Sequence, residues 1–274
     1  MSDQELIKAA LAEDLAGGVD ITSQATIAAD ATATADFIAR TDGVIAGINI
    51  THAVLAEVGL TDVTLSKKDG DQVKAGDLLI TVRGNTRAIL LAERTALNFF
   101  GHLSGIATLT NKWVKEVSGT KCQVRDTRKT TPGMRVMEKY AVRMGGGVNH
   151  RMSLSSAALI KDNHIAAAGG VVAAFAKVRS IYPEAEIEIE VDTLEQLKEV
   201  LPLNPDLILL DNMSPEMCAQ AVALVNGKCK LEASGGISIA SARAYAQSGV
   251  DYIAIGALTH SVPVFDIGLD LRTE

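Results

Sequence analysis

The sequence has few of the residues that stabilise small secreted domains or form membrane spans. Its three cysteines, Cys122, Cys218 and Cys229, are odd in number and lack metal-ligand spacing, which favours free thiols in a reduced compartment. Aromatic residues make up 4% of the chain, and no apolar run approaches the roughly 18 residues of a membrane span. The opening segment MSDQELIKAALAEDL predicts an amphipathic helix, because it lacks the basic stretch and apolar core of a signal peptide. We therefore expect a cytoplasmic protein without a membrane partner.

Aliphatic residues, by contrast, are abundant. Hydrophobic residues account for 47% of the 274 residues, and the chain is rich in Ala, Val, Ile and Leu. A chain of this length can bury a substantial core in one large domain or in two smaller ones. The composition therefore predicts an α/β protein.

Positive charge is concentrated in one part of an acidic chain. The segment from Asp126 to His164 contains seven Lys or Arg against three Asp or Glu, a net charge of +4, whereas the whole chain carries −7 and the remainder −11. Such runs are often solvated helix faces, but here the cations stand beside Gly, Pro, Thr and Asn, which are typical of loops. A cationic site in a negative protein repels nucleic acid yet can hold a small, multiply charged substrate.

The first hundred residues mix short strands and helices. The segment TATADFIART alternates like a strand, and GINITHAVLAEVGL predicts a turn followed by a helix. The turn residues of DGDQVKAGDLLITVRG predict a hairpin-like unit, which resembles lipoyl or biotinyl carriers but lacks a suitably placed lysine and is interpreted as structural. From Ala88 to Val117 the period becomes helical, and Gly101 and Gly105 are expected to mark a break between two helices.

The C-terminal half repeats a strand followed by a helix. Strands are predicted at EIEIEVD, LILLDN, KLEASGGI and YIAIGAL, with helices between them. The first of these strands places Ile187, Ile189 and Val191 on one face and glutamates on the other. The strands end at Glu190, Asp211, Ser234 and Gly256, at intervals of 21, 23 and 22 residues. This spacing predicts a barrel or an open parallel sheet whose active site collects at these four residues.

The residues at the strand ends suit phosphate and metal or sugar binding. Ser234, Gly235 and Gly236 precede a predicted helix, whose free N–H groups can bind a phosphate, and Gly256 supplies a second glycine-bearing loop. Glu190 and Asp211 can hold Mg²⁺ or accept hydrogen bonds from sugar hydroxyls. A structural salt bridge from either carboxylate to Lys161 or Arg151 is the alternative. His150 and His164 lack a zinc-binding pattern. Each taken alone is therefore interpreted as a structural hydrogen-bonding residue and not as a metal ligand.

Four cations would converge on these groups, namely Arg128, Lys129, Arg151 and Lys161. At about 4 Å and an effective dielectric near 20, each cation–anion contact is worth roughly 4 kcal/mol before desolvation, and the cations repel one another similarly. They are compatible only with a ligand that carries several negative charges.

Six runs of the sequence resemble the quinolinate phosphoribosyltransferase family. They are, in order, ERTALNFFGHLSGIAT, DTRKTTPGMRVMEKYAVRMGGGVNHR, LIKDNHI, EIEVD, LLDNMSP and EASGGI, and EDLAGGVDITS near the N-terminus is similar as well. The resemblance covers nearly the whole chain, and the second run is highly specific. A related family associated with molybdenum transport shares the architecture, but we do not expect it to contain an intact KDNH.

This resemblance implies a reaction and a set of site residues. The reaction joins quinolinate to 5-phosphoribosyl-1-diphosphate, with Mg²⁺, and yields nicotinate mononucleotide, CO₂ and pyrophosphate in de novo NAD biosynthesis. By similarity, the quinolinate carboxylates lie among Arg128, His150, Arg151 and Lys161, and Lys129 and Lys161 approach the diphosphate. Lys129, Lys161, Glu190 and Asp211 are the implied catalytic residues, the last two also as metal ligands. The implied substrate-binding residues are Arg94, Thr127, Arg128, Lys129, His150, Arg151, Lys161, Glu190, Asp211, Ser234, Gly235, Gly236 and Gly256.

The resemblance also implies an architecture and an assembly. Residues 1–105 would form an α/β sandwich joined by the tail 264–274, and residues 106–263 would form an incomplete α/β barrel. The protein would be a homodimer in which Arg94 enters the neighbouring subunit's site. Two alternatives come from other classes: a barrel lyase that uses Lys161 as a Schiff base, and an anion-binding protein without turnover. The absence of a Ser-His-Asp or activated-Cys arrangement agrees with a reaction that needs no side-chain nucleophile.

Overall fold

The secondary structure follows the sequence periodicity in most segments. The structure, a computed structural model, describes residues 2–273. Within this range the α-helices are α1 (Asp3–Leu15), α2 (Ile21–Thr26), α3 (Ile48–Glu57), α4 (Thr86–Val117), α5 (Arg135–Met144), α6 (Asp162–Ala168), α7 (Val171–Ile181), α8 (Leu194–Val200), α9 (Pro215–Val225), α10 (Ile239–Gln247) and α11 (Ala257–His260), with a 3₁₀ turn at Leu201–Leu203. The strands are β1 (Thr32–Ala39), β2 (Gly43–Val44), β3 (Asp62–Leu65), β4 (Gln72–Val73), β5 (Leu78–Asn85), β6 (Gln123–Arg125), β7 (Ala158–Ile160), β8 (Ile187–Val191), β9 (Leu207–Asp211), β10 (Lys230–Ser234), β11 (Tyr252–Ala254) and β12 (Ile267–Thr273).

The described residues group into two units by their contacts. The first comprises the described parts of Met1–Asn111, Thr131–Gly146 and Ser261–Glu274, and the second comprises Lys112–Thr130 and Gly147–His260. The predicted domain boundaries at residues 105 and 263 stay predictions. The mixture of helices with an antiparallel and a parallel sheet confirms the predicted α/β class.

The first unit is built on an antiparallel sheet in the order β12-β1-β5-β3. Strand β1 is central in this sheet, and the side chains of Ala33, Ala35, Phe37 and Ala39 are fully buried. The alternation predicted from TATADFIART therefore corresponds to the side chains that β1 buries on one face. Strand β12 comes from the tail of the chain and pairs with β1 from Ala39↔Ile267 onward.

The predicted hairpin-like unit is wrong in its pairing. Strands β4 and β5 are joined by a tight turn in which Asp77 N–H donates to the carbonyl of Lys74 at 3.0 Å. They do not pair with each other, however, because β4 pairs with β2 and β5 pairs with β1 and β3. The turn residues were identified correctly, but the strand partners depend on distant segments.

The predicted helix break at Gly101 and Gly105 is also wrong. Helix α4 runs without interruption for 32 residues. A Cβ added at Gly105 would lie 2.2 Å from the carbonyl oxygen of Pro263, and one at Gly101 would lie 2.9 Å from that of Phe265. The glycines therefore allow the backbone of residues 263–265 to lie directly against the helix, with Phe265 N–H donating to the Gly101 carbonyl at 2.9 Å.

The second unit is built on a parallel sheet in the order β6-β11-β10-β9-β8-β7. All five residues of β8 are buried, and β9 is buried up to Asp211. Full burial is typical of strands covered on both faces by helices, and the arrangement is consistent with the predicted incomplete α/β barrel. Glu188 and Glu190 of EIEIEVD thus point into protein and not toward solvent, whereas Glu186, just before the strand, is exposed.

Polar caps begin the helices that follow these strands. Thr193 caps α8, Ser214 caps α9 and Ser238 caps α10, each by accepting a hydrogen bond from a backbone N–H inside its helix. Pro215 occupies the first position of α9, where its missing N–H costs no hydrogen bond. These caps keep the strand-to-helix loops short and fix the strand ends.

No single helix within residues 2–273 is long and apolar enough to cross a membrane. Helices α6 and α7 taken together have the length and apolar composition of a membrane span, but they are bent by 89° at their junction.

A substitution at Gly105 tests the packing of α4. In an exposed helix Gly→Ala stabilises by about 1 kcal/mol. Here we expect Gly105→Ala to lower the free energy of unfolding by about 1–3 kcal/mol, because the new methyl group overlaps a backbone carbonyl that cannot rotate away. Chemical denaturation measures the change, with Lys112→Ala, on an exposed position of the same helix, as the control. Stabilisation by Gly105→Ala would contradict the observed packing.

Candidate active site

A cavity of about 700 Å³ opens at the carboxyl ends of the parallel strands. The strand register places Asp211 directly beside Ser234 and places Glu190 beside Leu209, two residues before Asp211 and therefore on the same face of the sheet. The predicted site residues that line the cavity are Thr127, Arg128, Lys129, His150, Arg151, Lys161, Glu190, Asp211, Ser234, Gly235, Gly236 and Gly256. The prediction that the strand-end residues converge at one place is therefore confirmed.

Arg94 is the predicted site residue that does not occur among the described residues lining this cavity. Its side chain is exposed on α4. Asn212, Glu232 and His260 line the cavity although the sequence analysis did not select them. Asn212 follows Asp211 directly, and His260 lies one helical turn after Gly256. Closeness in sequence to a predicted site residue is therefore the feature that could have identified them.

Asp126 connects the two loops that carry the cations, those of the DTRK and NHR motifs. This side chain is fully buried and accepts hydrogen bonds from the backbone N–H of His150, at 2.8 Å, and from the side-chain amide of Asn149. Val148 also bridges to Arg125 at the end of β6. The motifs DTRK and NHR, which are distant in the sequence, therefore form one surface of the cavity.

Positive charges are crowded on this surface. Burial and the neighbouring Arg128 lower the pKa of Arg151, whose Nη1 donates to the carbonyl of Ala157 at 2.8 Å. The backbone of Lys129 is held by Thr259, whose hydroxyl donates to the Lys129 carbonyl at 2.7 Å. Cations held close together in this way favour an anionic ligand, because the free energy of folding has already offset the repulsion among them.

Two carboxylates, those of Glu190 and Asp211, line the cavity together with the cations. Glu190 accepts a hydrogen bond from the ammonium group of Lys161, so the salt bridge considered from the sequence is present. Burial, together with the nearby Glu190 and Asp192, raises the pKa of Asp211. Asn212 donates its side-chain N–H to Asp211 at 2.6 Å and thereby orients that carboxylate. The mutual repulsion of Glu190 and Asp211 favours a divalent cation or hydroxyl donors between them.

The glycine loop after β10 is held in a conformation that other residues rarely adopt. Gly235 and Gly236 have φ angles of +88° and +60°, and Asn212 beside them has +53°. Asn212 N–H donates to the carbonyl of Ser234 at 2.9 Å, and a Cβ at Gly235 would lie 2.1 Å from the Asn212 side-chain oxygen. Helix α10 begins shortly afterwards, so the loop offers exposed backbone N–H groups to an anion.

Gly256 lies in equally restricted space. A Cβ there would approach both Nε2 of His260 and the Cδ atom of Lys129 to 3.1 Å. The glycine therefore leaves room for a ligand between a histidine and a lysine.

A buried cluster forms the floor of the cavity. Nε2 of His150 lies 2.8 Å from Glu188 and 3.6 Å from Glu232, and Arg125 pairs with Glu232 at 2.7 Å. Burial raises the pKa of both glutamates to about 7. Sequence reasoning missed this cluster because a glutamate inside a strand is ordinarily interpreted as a solvent-facing residue.

The cysteines form no disulfide within the part of the chain that the structure describes. Burial raises the pKa of Cys122 to about 12 and that of Cys218 and Cys229 to about 11, so the thiols are protonated at neutral pH. A protonated thiol is a poor nucleophile. The observation agrees with the expectation of free thiols without a catalytic role.

Comparisons with known proteins agree with this geometry. Models of the N-terminal and C-terminal domains of quinolinate phosphoribosyl transferase match residues 20–104 and 106–270. The nicotinate-nucleotide pyrophosphorylase (carboxylating) of Mycobacterium leprae (strain TN) is 50% identical over 274 residues, covering 98% of this chain and 96% of that protein.

Solved structures extend the match to three dimensions. The nicotinate-nucleotide pyrophosphorylase of Francisella tularensis superposes with a TM-score of 0.95 at 41% identity, covering 98% of this chain and 96% of that one. The enzyme of the same name from Ehrlichia chaffeensis also gives a TM-score of 0.95 at 41% identity, covering 99% of both chains. The resemblance carried by the DTRKTTPG and NHR motifs is confirmed, and the chain belongs to the quinolinate phosphoribosyl transferase family.

Proposed function

We propose that this protein transfers the phosphoribosyl group of 5-phosphoribosyl-1-diphosphate to quinolinate and decarboxylates the product. The products are nicotinate mononucleotide, CO₂ and pyrophosphate, a step of NAD biosynthesis. The main support for this proposal is the cavity, which combines four cations, a carboxylate pair and a glycine loop. The two substrates together present two carboxylates, a monophosphate and a diphosphate, and so supply the anions that this charge distribution requires. The names of the relatives support the same reaction.

The site residues divide among the parts of the substrates. Arg128, Arg151 and Lys161 take the quinolinate carboxylates, with His150 beside them, and Lys129 and Lys161 take the diphosphate. Thr127 supports this surface through its hydroxyl, which accepts a hydrogen bond from Lys129 N–H at 3.0 Å. The acidic pair, Glu190 and Asp211, binds the ribose hydroxyls. The 5-phosphate is bound by the glycine loops, which contain Ser234, Gly235, Gly236 and Gly256.

The chemistry is electrostatic in both steps. The pyridine nitrogen forms a bond to C1 of the ribose as the bond to the diphosphate oxygen breaks, through an oxocarbenium-like state. Lys129 and Lys161 stabilise the negative charge that develops on the departing diphosphate. The ring nitrogen is then cationic, so the bond to the 2-carboxylate can break, leaving its electron pair at C2 of the ring. Release of CO₂ and addition of a proton at C2 complete the product.

The lyase alternative requires Lys161 as an uncharged nucleophile. In the structure its side-chain nitrogen is instead engaged in a salt bridge with Glu190. The ion pair therefore favours a binding and charge-stabilising role over Schiff-base formation. A non-catalytic anion-binding protein would not need the carboxylate pair.

Substrate selectivity tests the proposed reaction. Nicotinate lacks the 2-carboxylate, so it loses one ionic contact with the arginines, worth about 1.5–3 kcal/mol. We expect pyrophosphate release with quinolinate and a kcat/KM for nicotinate lower by about 10- to 100-fold. Trapping of released CO₂ should match pyrophosphate release with quinolinate. Equal turnover of nicotinate would refute the assignment of Arg128 and Arg151, and no turnover of either would refute the enzymatic function.

Glu190 and Asp211 are the residues that would hold Mg²⁺. Their oxygen donors suit this hard cation, which commonly binds one or two carboxylates together with substrate phosphates. Burial raises the pKa of Asp211, and so do the neighbouring Glu190 and Asp192, whose negative charge a bound cation would neutralise. When bound, Mg²⁺ supplies electrostatic stabilisation of the diphosphate leaving group.

Replacement of Asp211 tests this pair. We expect Asp211→Asn to raise the Mg²⁺ concentration for half-maximal activity and the KM for 5-phosphoribosyl-1-diphosphate by about tenfold, the scale of one lost charged contact. The melting temperature should change little, since the side chain is partly exposed. Glu195→Gln, on the exposed surface of α8, is the control. A lower melting temperature with unchanged kinetics would assign Asp211 a structural role.

The protein is further proposed to be a cytoplasmic homodimer without nucleic-acid or membrane partners, in which Arg94 enters the neighbouring site. Support comes from the exposure of Arg94 on α4 and from its place in the ERTALN run. Loss of Arg94 removes one charged contact, so Arg94→Ala should lose about 1.5–3 kcal/mol of quinolinate binding. Arg94→Lys should recover this only in part, because an ammonium group cannot make the bidentate contact of a guanidinium.

Mixed dimers test the sharing of the site. Arg94→Ala and Lys161→Ala subunits should each be nearly inactive alone. In a heterodimer one site carries both defects and the other carries neither, so about half of the wild-type activity per heterodimer should return. Exchange of Lys161→Ala with differently tagged Lys161→Ala subunits is the control. No recovery after demonstrated exchange would show that Arg94 does not act in the neighbour's site.

A further inference from the structure

The buried cluster below the cavity contains groups that the proposed reaction does not use. His150, Glu188 and Glu232 are 8%, 4% and 0% exposed, and their ligand atoms lie within 4.8 Å of one another. One carboxylate oxygen of each glutamate is buried without a hydrogen-bond partner among the described residues. Such a set has the composition of a metal site, so the state of the histidine decides what the cluster can do.

The hydrogen bonds of His150 determine which of its nitrogens carries the proton. Nδ1 accepts a hydrogen bond from the backbone N–H of Arg151 at 2.7 Å. A nitrogen that accepts must present its lone pair, so the proton of the neutral ring lies on Nε2. Nε2 is the atom that faces Glu188 at 2.8 Å, and it therefore donates to that carboxylate. A protonated Nε2 has no lone pair for a metal ion, and the metal interpretation is rejected.

The same geometry links Glu188 to the cationic surface of the cavity. Glu188 fixes the ring of His150 on one side, and on the other side the ring accepts the Arg151 N–H. Arg151 is held a second time where its Nη1 donates to the Ala157 carbonyl. The chain of contacts runs from a strand in the core, through an imidazole, to the backbone of an arginine that lines the cavity.

We propose that Glu188 is a positioning residue for the dicarboxylate subsite, acting through the Nε2–H form of His150 to hold Arg151 in place. This proposal rests on the proposed function, since it takes Arg151 as a ligand of quinolinate. It also means that His150 contributes a neutral, oriented ring to the subsite and does not add a fourth positive charge to those of Arg128, Arg151 and Lys161. Ordering of this kind by a carboxylate behind a histidine is a common way to fix its tautomer.

Glu232 provides an internal comparison. It is equally buried and belongs to the same cluster, but its oxygen lies 3.6 Å from Nε2, beyond a hydrogen bond, and its other oxygen is taken by Arg125 at 2.7 Å. Arg125 in turn lies over the ring of Tyr252, 4.3 Å from its centroid. Removal of the Glu232 charge therefore perturbs the cluster without removing the bond that orients His150.

Nitrogen chemical shifts of His150 test the proposal independently of activity. The chain has five histidines, so ¹⁵N-histidine labelling gives a simple spectrum, and His150→Gln identifies the His150 signals. In the wild-type protein we expect a protonated Nε2 and an unprotonated Nδ1. Glu188→Gln should yield a mixture of tautomers, because an amide can donate as well as accept, whereas Glu232→Gln should leave the tautomer unchanged. Protonation on Nδ1 in the wild-type protein would overturn the proposal without any variant.

Kinetics of the same variants separate positioning from stability. Glu188→Gln should raise the KM for quinolinate by about tenfold, the effect of one weakened charged contact, with little change in the KM for 5-phosphoribosyl-1-diphosphate. Glu186→Gln, exposed immediately before β8, is the control and should leave both unchanged. A fall in melting temperature with equal changes in both KM values would show a merely structural role and overturn the proposal. If the wild-type protein shows the Nε2–H tautomer but no turnover of quinolinate, the proposed function fails while the orientation of His150 stands.

Discussion

The register of the parallel sheet is the constraint on which the site depends. Asp211 and Ser234 lie side by side because β9 and β10 run parallel and in register. Glu190 pairs with Leu209, two residues before Asp211, and so lies on the same face of the sheet. A shift of one residue in any of these strands would turn its polar end into the surrounding helices and an aliphatic side chain into the cavity. The chemistry of the protein is thus a consequence of backbone pairing.

Charge balance within the fold makes this convergence possible. Lys161, which lines the cavity, is held by Glu190, and the half-buried Arg125 is held by Glu232, which lines it. These partners limit the repulsion among the cations before a substrate arrives and keep their directions fixed. An anionic substrate then meets charges that need little reorganisation, which is the condition under which electrostatic stabilisation of a transition state is large.

The sequence predicted the elements with strong periodicity and the residues at their ends. The strands of EIEIEVD and LILLDN, the helices after them and the meeting of Glu190 with Asp211 all follow from local pattern plus the rule for parallel strands. The continuity of α4 could not be predicted, because Gly105 is explained by contact with Pro263, a residue far along the chain. The buried cluster was missed for the same reason: the surroundings of a strand glutamate depend on which strands pair beside it.

The pairing of β12 with β1 has a consequence for synthesis of the chain. Ala39 pairs with Ile267, so one edge of β1 lacks its partner while on the order of 230 residues are added. At about 5–20 residues per second this interval lasts roughly 10–50 s. An open strand edge is a template for pairing with other chains. During that interval β1 therefore exposes an edge at which the nascent chain can pair with a neighbouring chain, and the last strand to be synthesised is the one that covers it.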